Sequence, residues 1–229
     1  MKTKFTKLRI KLQRQGALAT LYELAMAAIN AVVFFQILRG VYVERPDPAF
    51  LACPERYSAG FLEHEALRGY TAHPETELSE KFVEQNASRG DRCFALRDGE
   101  VLSAYGWYSS RPTPIGIAGL EIQFTPQYVY MYKGFTAHRY RGQRLHAIGV
   151  TMALDECLRS GYKGIVSYVE STNADSLKSC FRMGYRVFGS AYLVRIFGRY
   201  FSFSSPGCKK FAFCVVDSRN PTPFVFRKA

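Results

Sequence analysis

Apolar and polar positions follow their most regular pattern between residues 128 and 185. Residues 128–136 are rich in aromatic and β-branched side chains, which predicts a β-strand. Residues 145–158 repeat apolar side chains at the spacing of an α-helix. A second strand is predicted over residues 165–169 and a second helix over residues 173–184. Strands that alternate with helices in this way are typical of an α/β domain.

Shorter elements are predicted on both sides of this segment. Two strands, over residues 92–97 and 101–108, are joined by the hairpin turn Asp98-Gly99. The other predicted elements are a strand at 41–43, helices at 61–67 and 77–85, and strands at 120–124, 186–197, 200–203 and 209–216. The whole pattern indicates one globular domain with an N-terminal appendage.

The N-terminal region joins a basic leader to an apolar stretch. Six lysines and arginines precede the first acid, Glu23, and residues 17–38 are largely apolar. A secretory signal would need a small-residue cleavage site after this stretch, and residues 36–40 offer a poor one. A transmembrane helix would have to bury Glu23, and a charged side chain costs about 2.5–3.5 kcal/mol in mid-membrane.

Helical spacing of the same stretch favours a third interpretation. It places Gly16, Thr20, Glu23, Ala27 and Asn30 along one narrow stripe and leaves the other faces apolar. A helix of this kind lies on an anionic membrane surface, here through residues 1–38, more readily than it spans the bilayer. A helix that simply packs on the domain is the alternative.

A basic turn that contains glycine connects the strand at 128–136 to the helix at 145–158. Residues 140–146 read Tyr-Arg-Gly-Gln-Arg-Leu-His. Free backbone N–H groups and the positive end of the helix dipole favour an anion at such a position. The turn is therefore a candidate phosphate site.

Two stretches resemble the GNAT acyltransferase superfamily, which transfers an acyl group from acyl-CoA to an amine. They are the turn at 140–146 and Asn173-x-x-Ser176 with the later Gly184-Tyr185, and the resemblance covers roughly residues 90–200. The resemblance implies an α/β fold with a mixed, mostly antiparallel central sheet flanked by helices, here with an N-terminal helical extension.

Three positions depart from the family pattern. Arg144 stands where the first glycine of the turn motif is expected, and His146 stands at its final Gly/Ala position. Cys180 stands where many members carry a tyrosine that protonates the leaving thiolate. A thiol is a possible acid, because its unperturbed pKa is about 8.5; an inert core cysteine is the alternative.

The resemblance also implies roles for other residues. The diphosphate of acyl-CoA would be held by Arg141, Gly142, Gln143 and Arg144. The backbone N–H groups of Phe135 and Thr136 would polarise the thioester carbonyl. Asn173 and Ser176 would lie near the pantetheine arm, and an ordinary N-cap is the alternative for Asn173.

An attacking ammonium must lose a proton, which requires a carboxylate or a water relay near the acyl carbon. The candidates are Glu121, before the strand at 128–136, and Glu170, at the end of the strand at 165–169; a solvated loop acid is the alternative for each. The six cysteines and four histidines lack metal-ligand spacing, so we expect no metal site and a reduced, cytosolic compartment.

Composition changes this picture mainly through charge. A formal net charge of +12 favours anionic partners: a CoA diphosphate, a membrane surface, an acidic acyl carrier protein or nucleic acid. The 48% hydrophobic and 15% aromatic content argues against disorder. Because the basic residues form no long stripe and no RNA-binding signature is present, nucleic acid is the least favoured of these partners.

We interpret residues 1–40 as a basic and apolar helix, 41–216 as a GNAT-like domain and 217–229 as a tail. The predicted activity is N-acyl transfer, from acetyl-CoA or a longer acyl-CoA, to the amine of a small molecule, sugar or lipid precursor by direct attack in a ternary complex. The alternatives are transfer from an acyl carrier protein and a non-catalytic, membrane-associated binding module. The predicted location is cytoplasmic, with peripheral attachment to the inner face of the membrane.

Overall fold

The computed structural model describes residues 2–219. The helices are α1 (Lys2–Gln15), α2 (Ala17–Asn30), α3 (His64–Arg68), α4 (Glu80–Arg89), α5 (Leu145–Arg159) and α6 (Ala174–Arg182). The strands are β1 (Phe34–Val43), β2 (Ser58–Leu62), β3 (Arg92–Asp98), β4 (Val101–Ser109), β5 (Thr113–Pro114), β6 (Leu120–Gln123), β7 (Val129–Thr136), β8 (Ile165–Glu170), β9 (Arg186–Ile196), β10 (Arg199–Ser204) and β11 (Cys214–Asp217).

Eight strands form the main sheet, in the order β10-β9-β1-β8-β7-β4-β3-β2. Neighbouring strands are antiparallel except for β7 and β8, which are parallel. The predicted mixed, mostly antiparallel sheet flanked by helices is confirmed. The strand, helix, strand and helix predicted for residues 128–185 are likewise confirmed as β7, α5, β8 and α6.

Helices pack on both faces of the sheet. On one face, the Trp107 ring of β4 lies 5.4 Å from the Phe82 ring of α4. On the other face, Leu96 of β3, which pairs with Ala104 of β4, packs against Gly149 of α5. The contact is so close that a Cβ added to Gly149 would lie 2.7 Å from Leu96 Cδ1. Because successive side chains of a strand alternate between faces, the sheet has an α4 face and an α5 face.

The strand β1 corrects the prediction for the N-terminal region. The helix α2 ends at Asn30, and residues 34–43 form a central strand between β8 and β9. The turn is closed by Asn30, whose side chain donates to the Phe35 carbonyl at 2.8 Å and accepts the Phe35 N–H at 2.9 Å. The predicted helix over 17–38 is thus wrong beyond Asn30, and the boundary proposed at residue 40 falls inside β1.

Three smaller predictions also change. Residues 58–62 form the edge strand β2, so the helix predicted at 61–67 shrinks to the short α3. The strand predicted at 209–216 begins as a 3₁₀ turn over Pro206–Phe211 and becomes β11 only at Cys214. Of the predicted tail at 217–229, Asp217 belongs to β11, and residues 220–229 lie outside the described residues.

A small second sheet, in the order β11-β6-β5, shares a core with the main sheet. Leu120 and Ile122 of β6 are buried in that core with Tyr130 of β7 and Val166 of β8. Between residues 2 and 219, no helix combines the length and apolarity that crossing a membrane requires.

Candidate active site

A cleft opens in the centre of the main sheet because the parallel pair β7 and β8 separates. The two strands pair only at Val129–Ile165 and Tyr130–Val166. Beyond these pairs the strands enclose a volume of about 290 Å³, which is lined by residues 131–136 and 167–169 and by side chains of α5 and α6. At the point of separation, the Ser167 hydroxyl donates to the Met131 carbonyl at 2.7 Å.

The local sequence of β7 explains the separation. The register with β4 shifts between Trp107 and Tyr108, which leaves Tyr132 as an extra residue in β7. Such a bulge bends its strand and increases the local twist. Within the cleft, His146 and Cys180 lie on the α5 face, whereas Tyr132 belongs to the α4 face, where the Arg89 guanidinium lies 6.0 Å from its ring.

Open backbone amides line the β7 edge of the cleft. The Ala137 N–H donates to the Ser103 carbonyl of β4 at 2.9 Å. Because alternate residues of an antiparallel strand direct their N–H groups to the same partner, Phe135 directs its N–H to β4, and Gly134 and Thr136 direct theirs towards β8. Of the two N–H groups expected to polarise a thioester, that of Thr136 thus points into the cleft and that of Phe135 points to β4, and Gly134 offers a second open amide.

The basic turn lies at the end of β7, directly before α5, and its residues 141–144 are exposed. Two contacts anchor it. The Tyr140 hydroxyl donates to Asp98 Oδ2 at 2.8 Å, and the Tyr57 hydroxyl donates to Gln143 Oε1. The Arg141 Nε donates to the Thr136 carbonyl at 3.3 Å, which holds this guanidinium beside the end of the strand.

The first departure from the family pattern, Arg144, keeps the backbone of a glycine. Arg144 is the N-cap of α5 and has a φ of 61° and a ψ of 13°, in the left-handed region. A side chain in that region costs roughly 1–2 kcal/mol, which glycine avoids. Arg144 thus has the backbone conformation that a glycine would adopt at this position, and its side chain adds an exposed positive charge at the start of α5.

We expect Arg144→Gly to be about 1 kcal/mol more stable than Arg144→Ala, because both variants lose the cation and only alanine keeps the left-handed strain. Urea unfolding of the two variants measures the difference. The comparison of either variant with the native protein then reports the contribution of the charge to anion binding. Equal unfolding free energies for the two variants would contradict the left-handed conformation of residue 144.

The second departure, His146, is matched by a glycine on the facing strand. A Cβ at Gly134 would lie 2.6 Å from His146 Cε1, so the imidazole occupies the space that a side chain at residue 134 would need. Burial lowers the pKa of His146, which keeps the ring neutral at pH 7. The histidine therefore adds no charge to the cleft.

Three predicted residues lie at the start and middle of α6. Asn173 is the N-cap, and its Oδ1 accepts the Ser176 N–H at 3.0 Å. Ser176 and Cys180 line the cleft. Burial raises the pKa of the Cys180 thiol to about 11, so the thiol stays protonated at neutral pH.

The two predicted bases lie elsewhere. Glu121 is on β6 in the small sheet, where it pairs with Val216 of β11. Glu170 is exposed at the end of β8, where its Oε1 accepts a hydrogen bond from Gln36 Nε2 at 3.0 Å. Of the residues described, the cleft lining includes neither glutamate, so the structure does not bring them to the site.

A carboxylate behind the cleft wall contacts Tyr132, one of the residues that line the cleft. The Tyr132 hydroxyl donates to Asp91 Oδ2 at 3.0 Å, and Arg89 Nε donates to the same oxygen at 3.1 Å. Asp91 is fully buried, and its Oδ1 has no hydrogen-bond partner within residues 2–219. Burial, with the nearby Asp91 carboxylate, raises the pKa of Tyr132, so the phenol is protonated at neutral pH. Sequence reasoning missed this pair, since Asp91 and Tyr132 belong to no shared motif.

Residues 2–219 contain no cluster of three or more histidine, cysteine, aspartate or glutamate side chains that could hold a metal ion. The polar groups of the cleft lining include backbone amides, hydroxyls, the Cys180 thiol, the His146 imidazole and Lys133, whose Nζ donates to the Glu77 carbonyl at 2.9 Å.

Solved structures similar to this chain include three from GNAT proteins. A GNAT-family protein from Novosphingobium aromaticivorans DSM 12444 is 15% identical with a TM-score of 0.49, over 70% of this chain and 64% of that one. A GCN5-related N-acetyltransferase-like protein from Streptococcus suis 89/1591 is 14% identical with a TM-score of 0.48, over 77% and 68%. A GNAT-family acetyltransferase from Colwellia psychrerythraea is 16% identical with a TM-score of 0.45, over 71% and 55%.

The chain thus spans less than two thirds of the Novosphingobium and Colwellia proteins. No family model matches the chain, and no curated protein sequence matches it.

Proposed function

We propose that this protein transfers an acyl group from a pantetheine thioester, such as acetyl-CoA or a longer acyl-CoA, to an amine. The observation that carries the proposal is the separation of β7 and β8 directly beside the N-terminus of α5. An extended chain with amide groups fits between two diverging strands, because it can bond to their unpaired edges as an added strand does. An anionic group at the end of that chain would then meet the basic turn.

In this proposal, the acyl donor binds from the α5 face of the main sheet. The diphosphate lies at residues 141–144 and the first N–H groups of α5, with Arg141 and Arg144 as cations. The pantetheine arm runs along the open amides of Gly134 and Thr136 and past Ser176 of α6. One of the β7 amides donates to the thioester oxygen, where negative charge develops during attack.

The acceptor amine approaches from the α4 face, where Tyr132 reaches the cleft. The amine nitrogen attacks the thioester carbonyl carbon, the carbon–sulfur bond breaks, and the products are an amide and a thiolate. Before the attack, one proton of the bound ammonium passes to the Tyr132 oxygen while the Tyr132 proton passes to Asp91 Oδ2. As the carbon–sulfur bond breaks, the second proton of the nitrogen leaves to solvent, and Asp91 later returns its proton to solvent through Tyr132. Tyr132 and Asp91 thus take the place expected for Glu121 or Glu170.

Cys180 has a limited part in this reaction. A protonated thiol is a poor nucleophile, which favours direct attack over an acyl-cysteine intermediate. With its pKa raised to about 11, Cys180 is also a weaker acid than an ordinary thiol. The leaving thiolate then takes its proton from solvent, and Cys180 contributes packing to the wall of the cleft.

Calorimetric titration of the purified protein with acetyl-CoA and with a long-chain acyl-CoA tests the donor site. We expect micromolar binding of at least one of them, which corresponds to about −8 kcal/mol. Release of free CoA thiol with a panel of small amines, amino sugars and amino lipids then tests transfer. The acyl-chain length that the protein prefers then indicates which of these classes of acceptor amine to test in detail.

The same titration includes an acylated carrier protein. Such a donor carries the pantetheine arm without the nucleotide, and the exposed basic turn suits an acidic carrier surface. Binding of the carrier alone would move the donor assignment to that protein. Binding of none of the three donors would contradict the proposal and leave a binding module as the function of the fold.

A further inference from the structure

The helix α2 presents an uninterrupted apolar face to solvent. The exposed fractions are 86% for Leu18, 65% for Leu21, 53% for Leu24 and 42% for Ile29, and just beyond the helix Val32 is 91% exposed. Ala25 and Ala28, which helical spacing places on the same side, are also exposed. Contiguous apolar surface of this kind marks a site of contact with a membrane or with another protein.

The carboxylate and the hydroxyl groups of α2 make contacts within the protein. Glu23, its single charged residue, accepts hydrogen bonds from Lys11 and, at 3.0 Å, from Gln15 of α1. Thr20 is buried and donates to the Gly16 carbonyl at 2.8 Å. The polar stripe seen in the sequence therefore closes a two-helix hairpin, and the apolar residues are left on its outer side.

Two contacts fix this hairpin beside the cleft. The Tyr22 hydroxyl lies 2.7 Å from the Ser171 hydroxyl, and Arg14 forms a salt bridge of 2.8 Å with Asp175 of α6. Ser171 and Asp175 flank the N-terminus of α6, whose Ser176 lines the cleft. The apolar face thus has a defined position relative to the candidate active site.

We propose that the outer face of α2 inserts into the interfacial layer of an anionic membrane. Charge complementarity selects this partner, since the first 22 residues contain six lysines and arginines and no acid, and only Lys11 and Arg14 of these have ion pairs among the described contacts. An amphipathic helix combines burial of its apolar face with attraction of flanking cations to acidic headgroups. The inference goes beyond the proposed acyl transfer, because it concerns where the protein acts.

Vesicle sedimentation with the full chain tests the proposal without any donor or acceptor. We expect binding to vesicles of phosphatidylcholine and phosphatidylglycerol, weaker binding at high salt, and weaker binding to phosphatidylcholine alone. The double variant Leu18→Glu, Leu21→Glu should lose binding by about tenfold or more, since two side chains exchange apolar burial for charge. Leu51→Glu, an exposed leucine outside the hairpin, should bind as the native protein does.

Point variants are required because truncation to residue 38 would remove half of the central strand β1. Equal vesicle binding by the native protein and the double variant would overturn the proposal. It would also be overturned if the native protein ignored vesicles but formed a dimer that the double variant abolished, since the face would then join two copies of the chain.

Discussion

Replacing Tyr132 with phenylalanine should lower kcat for acyl transfer about 100-fold or more while donor affinity stays within about twofold. The proposed relay passes the proton of the amine through the Tyr132 hydroxyl to Asp91, and general-base steps of this kind contribute roughly 10²–10⁴-fold. Phenylalanine keeps the ring that lines the cleft and removes only the oxygen. The measurement is steady-state kinetics of thiol release, with donor binding measured separately by titration.

The pH profile separates a relay from a merely structural hydroxyl. Without a proton acceptor, the reaction depends on amine that is already unprotonated in solution. The activity of Tyr132→Phe should therefore rise with pH up to the pKa of the acceptor amine, whereas the native enzyme levels off at lower pH. A parallel fall in activity at every pH would indicate loss of packing and contradict the relay.

A matched control exists on the same strand segment. Tyr128, directly before β7, also donates its hydroxyl to a carboxylate, that of Glu44, and lies outside the cleft lining. Tyr128→Phe removes the same kind of hydrogen bond, so its cost in stability should be similar and its kcat should be unchanged. An equal loss of kcat in both variants would show that Tyr132 acts only through stability.

Replacing Arg141 with alanine should weaken acyl-CoA binding about 10- to 100-fold and leave the unfolding free energy nearly unchanged. A hydrogen bond to a charged group contributes roughly 1.5–3 kcal/mol, and the Arg141 guanidinium is held beside the end of β7 by its bond to the Thr136 carbonyl. The side chain is exposed, so its removal leaves no buried group without a partner.

Two comparisons test whether the loss of acyl-CoA affinity comes from a lost contact with the diphosphate. Arg159→Ala removes an equal charge at the opposite end of α5 and should bind acyl-CoA as the native protein does. S-acetylpantetheine lacks the diphosphate, so its affinity should be the same for Arg141→Ala and for the native protein. Unchanged acyl-CoA affinity in Arg141→Ala would remove the basic turn from the donor site.

The secondary-structure predictions for residues 128–185 held because each depends on neighbours in the chain. The aromatic and β-branched run of β7 and the helical spacing of α5 report local conformation, and the glycine at residue 184 marks a helix end. The position of Arg144 between strand and helix was likewise visible, although its left-handed backbone was not. A motif comparison counted that arginine as a departure, and the structure shows a glycine-like backbone at the same position.

What local reasoning could not place depends on partners far away in sequence. Residues 34–38 are as apolar as the helix before them, and only their place between β8 and β9 makes them a strand. Glu121 and Glu170 were plausible bases by position in the chain, yet the first belongs to the second sheet and the second faces solvent. Asp91 lies 41 positions from Tyr132 and meets it only in the folded chain.

The sequence by itself determined the α/β class, the strand–turn–helix that would receive a phosphate, and the basic, apolar character of the N-terminus. These features follow from side-chain periodicity, turn chemistry and charge, which act over a few residues. Only the tertiary structure decided the place of β1, the outward face of α2 and the carboxylate that Tyr132 contacts. The spacing of apolar residues indicates that a side chain is buried but does not identify the element that packs on it. The positions of β1, of the outer face of α2 and of Asp91 therefore became known only from the folded sheet.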